Sequence, residues 1–203
     1  NVRALTELIH KFGALVLWDA AHAVGSIEMS FDKDYVDLAV GCTYKYGNSG
    51  PGAPAWLYVS KSLQNELQPS IQGWFAQRDQ FAMGPTFEKD LSIRGFQIAS
   101  PSILGLRCIN SSFAMIEEAG IAAIEAKAAM GTELMIELHD EWLAPLGFTL
   151  ITPREASQRG GHITISHPHA EQISIALRKY ANTVADYRTP NSIRLAISPL
   201  ATS

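Results

Sequence analysis

Two stretches decide how this chain is read: Ala14-Leu15-Val16-Leu17-Trp18-Asp19, and Tyr35-Val36-Asp37-Leu38-Ala39-Val40 running on into Gly41-Cys42-Thr43-Tyr44-Lys45. Each is a short apolar run that delivers a charged residue just beyond its end. The first run is continuous, the pattern of a strand buried on both faces of a parallel sheet. A third such run spans Ala55 to Val59. Ahead of them, Val2, Leu5, Leu8, Ile9 and Phe12 fall at helical spacing, and Gly13 is placed to stop that helix. Helix, strand, connection and strand in this order predict an α/β layered domain.

Beyond Ser60 the pattern turns irregular as far as about Gln97, broken by Gly73, Gly84, Pro85 and Gly95. Two helices are predicted next, over Pro101 to Glu118 and Ile121 to Leu143, with Gly120 between them. Strands at Phe148 to Ile151 and His162 to Ser166, a helix at Ala170 to Tyr180, and strands at Thr183 to Asp186 and Ile193 to Ile197 complete a small α+β unit. The expected division is therefore residues 1–99 as part of a large α/β domain and 100–203 as a small α+β domain. There is no internal repeat and no low-complexity segment.

The 203 residues are 47% hydrophobic and 18% charged, an ordinary globular balance. A net charge of -4 with no run of Lys and Arg argues against nucleic-acid and anionic-membrane partners. Cys42 and Cys108 are far apart and outside any C-x-x-C spacing, which reads as a reduced, cytoplasmic protein. No stretch has the length and apolarity of a membrane span, and Asn1 to Leu5 does not look like a signal peptide. The chain lacks an initiating Met and opens directly in a helical pattern, so it is expected to be part of something longer.

Asp19 follows an apolar strand, at the carboxyl edge where open α/β sheets bind ligands. A carboxylate is costly to bury there without a cationic partner, although an Asp in this place also serves as a cap. Lys45 lies just past the second run, and a Lys with a lowered pKa makes a Schiff-base nucleophile. An isolated surface Lys would be the plainer reading. Tyr44 can hydrogen-bond a phosphate or pass a proton, and Gly47 to Gly52 permits close backbone approach. An Asp and a Lys ending consecutive strands, 45 − 19 = 26 residues apart, can serve a ring nitrogen and an aldehyde of one cofactor.

Here a family resemblance becomes specific. WDAAHAVG (Trp18 to Gly25), GCTYKYGNSGPG (Gly41 to Gly52), GWF (Gly73 to Phe75), LITPRE (Leu150 to Glu155) and PNSIRLAISPL (Pro190 to Leu200) resemble kynureninase segments, in the same order and along essentially the whole chain. The resemblance implies the C-terminal part of a pyridoxal-phosphate (PLP) enzyme of fold type I. It implies hydrolysis of L-kynurenine, or 3-hydroxykynurenine, to anthranilate, or 3-hydroxyanthranilate, and L-alanine. That step belongs to tryptophan catabolism and NAD biosynthesis, carried out by a cytoplasmic homodimer with shared active sites.

By the same resemblance Lys45 forms the Schiff base and moves the substrate α-proton, and Asp19 pairs with the pyridine nitrogen. His22, Tyr44, Trp74 and Ser100 fall at cofactor positions, Trp74 reaching the phosphate from the partner subunit. Arg194 holds the substrate α-carboxylate, a task suited to its planar fork. An unpaired Arg on an apolar strand would otherwise be expensive.

Some positions depart from the pattern: Ala76-Gln77 stands where Gly-His follows GWF, Gly47 where Leu is usual, and Ala201 where Tyr is common. His162, His167 and His169 do not make a metal site, since no Cys or carboxylate cluster accompanies them. The rival readings are another class-V enzyme, an aminotransferase or a cysteine desulfurase, and a non-catalytic remnant serving as a dimerisation module. Desulfurases carry their Cys on a mobile loop, where neither Cys42 nor Cys108 is expected.

Overall fold

A computed structural model describes residues 1–202. The chain divides into two compact units, one of residues 1–24 and 29–115, the other of residues 25–28 and 116–203.

In the first unit, helix α1 (Val2–His10) is capped by Asn1, whose side-chain oxygen accepts from the Ala4 N–H at 3.1 Å. Gly13, at φ +70, follows it. Strand β1 (Leu17–Asp19) then pairs in parallel with β2 (Leu38–Cys42), which pairs antiparallel with β3 (Ala55–Val59). The three runs are strands as expected, but only one of the two pairings is parallel. β3 reverses because residues 43–54 form a compact loop, too short for a crossover helix.

The expectation of a first strand buried on both faces is also corrected. Leu15 and Leu17 are more than half exposed, because β1 is an edge strand in the described sheet. Burial requires a layer on each side; α1 meets β1 through the Trp18 Nε1–H donating to Thr6 Oγ1 at 3.1 Å. The unit continues through α2 (Lys61–Glu66), an irregular stretch with 3-10 turns at Trp74–Ala76 and Ile93–Phe96, and helix α3 (Ile103–Ala119) as far as Met115.

The second unit holds α4 (Ile121–Leu138), a four-stranded sheet and α5 (Ala170–Ala181). Its strands are β4 (Thr149–Leu150), β5 (His162–Ser166), β6 (Asp186–Arg188) and β7 (Ser192–Ala196), in the order β4-β5-β7-β6 with every pairing antiparallel. The predicted α4 ran to Leu143; the α-helix stops at Leu138 and a π-helical turn covers His139–Leu143.

β5 alternates, with Ile163 and Ile165 buried and His162, Thr164 and Ser166 half-buried, the two-residue period of a sheet with one packed face. Ile163, Ile165 and Ile193 join Ile136, Ala170 and Ala185 in the core of this unit. Each buried Ile contributes about 1.5–3 kcal/mol through removal of apolar surface from water. Among the described residues no helix is long and apolar enough to cross a membrane.

Candidate active site

Asp19 is the last residue of β1 and stands opposite Val40 of β2 in a parallel register. β2 ends at Cys42, and Lys45 follows three residues later. Asp19 and Lys45 therefore leave the carboxyl ends of neighbouring parallel strands, the edge at which such sheets bind ligands. Asp19 Oδ1 accepts from the Ala21 N–H at 2.9 Å, which fixes the carboxylate and leaves its second oxygen for a cationic partner. The residues after Asp19 form turns rather than a helix: Ala23 and Val24 both donate to the Ala20 carbonyl. His22 is exposed on that turn, with its ring edge-on to Tyr46 at 6.4 Å between centroids.

The Lys45 loop is tightly built. Thr43 is buried and its hydroxyl donates to the Pro54 carbonyl at 2.7 Å, while its own carbonyl accepts from the Ser49 N–H at 3.1 Å. Buried Ser49 shares a 2.7 Å hydroxyl contact with buried Ser112, so the loop rests on α3. A Cβ on Gly47 would lie 2.6 Å from the Thr43 carbonyl oxygen and 3.1 Å from the Phe113 ring. The departure from Leu at this position is thus matched by a backbone with room only for Gly. Asn48 takes the left-handed conformation at φ 55, and its amide donates to the Tyr46 carbonyl at 2.7 Å. Lys45 is half-buried, with its ammonium 5.9 Å from the ring centre of Tyr44, whose side chain is exposed.

Thr43, Ser49 and Ser112 were not singled out in the sequence. The available signal was the uncharged polar run Asn110-Ser111-Ser112 in the middle of the predicted helix. Cys42 closes β2 and Cys108 lies within α3, so neither is on a loop.

Trp74 opens a 3-10 turn and is about half exposed, with its ring edge-on to Phe75 at 4.7 Å and to Phe81 at 6.3 Å. It lines a cleft of about 370 Å³ together with Gln77, Met83 and Phe87. Ser100 is exposed, in the extended segment ahead of α3. All these residues belong to the first unit.

Arg194 sits in the second unit, on β7 beside Thr164 of β5 and Asp186 of β6. Its guanidinium donates to Asp186 Oδ2 at 2.6 Å. The expense of an unpaired Arg on an apolar strand is therefore met within the sheet, by an acid the sequence reading had not paired with it. Asp186 also accepts from Arg188 at 3.0 Å. Partial burial pushes the Asp186 carboxyl up, but the hydrogen bond from Arg188 and the charge of Arg194 hold it below the usual carboxylate range overall. Among the described residues no three His, Cys, Asp or Glu side chains converge as metal ligands; His167 stacks near Phe148 and His169, at 4.7 and 5.6 Å.

The fold is shared with solved enzymes. A cysteine desulfurase from Thermococcus onnurineus NA1, solved in its apo form, superposes with a TM-score of 0.80 at 18% identity, over 100% of this chain and 52% of that one. The cystine C–S lyase C-DES, in a mutant with glycine covalently linked to its PLP cofactor, superposes with a TM-score of 0.72 at 13% identity, over 89% of this chain and 46% of that one. The chain shares its fold with about half of each of these enzymes.

At the level of sequence the match is narrower. Residues 124–203 match the kynureninase C-terminal domain. The kynureninase of Pseudomonas fluorescens is 34% identical over all 203 residues, which cover 49% of its length. These similarities lie along the whole chain, which spans about half the length of the curated relatives it matches.

Proposed function

We propose that this chain is the lysine-bearing part of a PLP-dependent kynureninase. The enzyme hydrolyses L-kynurenine or its 3-hydroxy derivative to the corresponding anthranilate and L-alanine, a cytoplasmic step in tryptophan catabolism. The observation that carries this reading is the placement of Asp19 and Lys45 at the carboxyl ends of two parallel, adjacent strands.

The donor set suits PLP. The cofactor asks for an anion at its ring N–H, an amine at its aldehyde and donors at its phosphate. Asp19 offers an oriented carboxylate, Lys45 an amine on a braced loop, and Tyr44 an exposed hydroxyl beside it. Bound PLP supplies an electron sink for carbanions next to the substrate nitrogen.

The chain's own residues then have defined tasks. Asp19 holds the ring N–H and keeps that nitrogen cationic. Lys45 carries the cofactor between turnovers and moves the proton at the substrate Cα. Tyr44 donates to the phosphate or to the departing group. His22 and Ser100 border the cofactor, Trp74 reaches its phosphate, and Arg194 receives the substrate α-carboxylate in a two-pronged contact. Water adds to the side-chain carbonyl and the Cβ–Cγ bond breaks, so one kynurenine and one water give one anthranilate and one alanine. Trp74 is taken to act in a homodimer with shared active sites.

The test is product analysis on the intact protein with PLP and L-kynurenine, with Lys45→Ala alongside. Anthranilate and alanine from the wild type and none from the variant are expected. A PLP adduct on Lys45, trapped by borohydride, with no anthranilate would keep the cofactor and overturn the substrate.

A further inference from the structure

The segment carrying Trp74 is fastened at its base by two cationic side chains that the proposed chemistry does not use. The backbone around Gln77 pairs with that around Lys89 in an isolated antiparallel bridge. The Arg78 N–H donates to the Glu88 carbonyl and the Asp90 N–H to the Ala76 carbonyl, both at 2.8 Å. Residues 79–87 form the tip, where Phe81 and Met83 are largely exposed.

Arg94 reaches across this base. Its Nη2 donates to two successive carbonyls, Gln77 at 2.8 Å and Arg78 at 2.6 Å, while its Nε faces Asp90 Oδ2 at 3.2 Å. Asp90 is itself oriented by the Ser92 N–H at 2.8 Å and the Ser92 hydroxyl at 2.5 Å. A planar fork can serve an acid and two backbone carbonyls together; a single ammonium cannot.

Lys89 works from the other side. Its side chain is buried, only 6% exposed, yet among the described residues no carboxylate pairs with its ammonium. The Nζ donates instead to the Gln64 carbonyl at the end of α2 and lies over the Phe96 ring, 4.8 Å from its centre. A buried ammonium without a counter-charge costs stability, and here the carbonyl and ring contacts that offset this tie the bridge to α2. Gly73, next to Trp74, meets the backbone of Ile98 so closely that a Cβ would overlap its carbonyl oxygen. The Trp74 turn is therefore held against both the Lys89–Arg94 stretch and the irregular segment leading to Ser100.

We infer that Arg94 and Lys89 are positioning residues that set where Trp74 is presented to the cofactor phosphate. The inference rests on the proposed phosphate role of Trp74. Arg94 locks the Gln77–Arg78 carbonyls, Lys89 anchors the opposite arm, and together they let an exposed indole keep one position.

The test uses the intact protein and the variants Arg94→Gln, Arg94→Lys and Lys89→Met, with circular dichroism to follow folding. Amide exchange over residues 74–78 is read first, and affinities for PLP and for phosphate-free pyridoxal second. Faster exchange in Arg94→Gln and Lys89→Met is expected, with PLP affinity down about tenfold, the scale of one or two lost hydrogen bonds. Pyridoxal affinity should hold to within about twofold, since the phosphate contact alone is disturbed. Arg94→Lys should fall between, and Arg94→Gln should weaken PLP no further in a Trp74→Ala background.

Unchanged exchange in both charge-removing variants, or an equal loss of PLP and pyridoxal affinity, would overturn the clamp. Variants that fail to fold while Arg94→Lys matches wild type in exchange and PLP affinity would also overturn it. Wild-type protein that takes up no PLP would sink the functional reading itself, and the clamp's purpose with it, whatever the exchange shows.

Discussion

Trp56 of β3 lies over Gly41 of β2, its cross-strand partner, so closely that a Cβ on Gly41 would come within 2.6 Å of the indole Cζ2. Gly41 is four residues before Lys45. Gly41→Ala must push the indole aside or bend β2, and either response overpacks a fitted contact. A loss of about 1–3 kcal/mol is expected in urea unfolding of the intact protein. Gly41→Ala with Trp56→Leu should recover part of that loss, because the smaller side chain makes room for the methyl.

Tyr58 donates its hydroxyl to Asp32 at 2.6 Å. Burial first, then the hydrogen bond to Asp32 and its negative charge, push the Tyr58 phenol up to about 12. A folded-state value above the unfolded one favours the neutral phenol in the folded protein. The contribution is whole below the ordinary value of 10.0 and is lost as pH rises through the folded value. Phenolate absorbance of the native protein should show one late-titrating group. Tyr58→Phe should remove that group and flatten the alkaline fall in stability.

Asp140 is gripped by both outer nitrogens of Arg154 at 2.7 Å and by His139 Nδ1 at 2.9 Å. The hydrogen bonds from Arg154, then that from His139, hold its carboxyl well below the usual carboxylate range. A depressed folded-state value gives stability present above the ordinary value of 3.8 and lost as pH falls through the folded one. Melting temperature followed from about pH 6 to about pH 2 should drop more gently for Asp140→Asn than for wild type. Equal slopes would show that the pair adds nothing.

Arg194, proposed above to receive the substrate α-carboxylate, is held by Asp186 at 2.6 Å, which orients its fork. Arg194→Lys keeps the charge but loses the two-pronged geometry. KM for the amino-acid substrate is expected to rise roughly tenfold, with a smaller change in kcat, if the contact is made equally in ground and transition states. An unchanged KM would remove Arg194 from substrate binding and leave it a structural partner of Asp186.

The apolar runs, their length and the glycines between them determined the order of elements, because short apolar segments without helical period favour extended structure wherever they pack. They also placed Asp19 at a strand end and Lys45 shortly beyond one, and β5 follows its expected bounds, His162 to Ser166. Which neighbour each strand would take was not legible. Whether β3 lies parallel or antiparallel to β2 depends on how residues 43–54 fold back, through Thr43, Pro54, Ser49 and Ser112. Helical periodicity also runs past Leu138, yet the backbone widens to a π-helical turn at buried His139. The partners of charged groups were likewise invisible: Asp186 for Arg194, two backbone carbonyls for Arg94, one carbonyl and a ring face for Lys89. Local pattern is set by residues a few positions apart, whereas hydrogen bonds and ion pairs are set by residues that only the folded chain brings within 3 Å of each other.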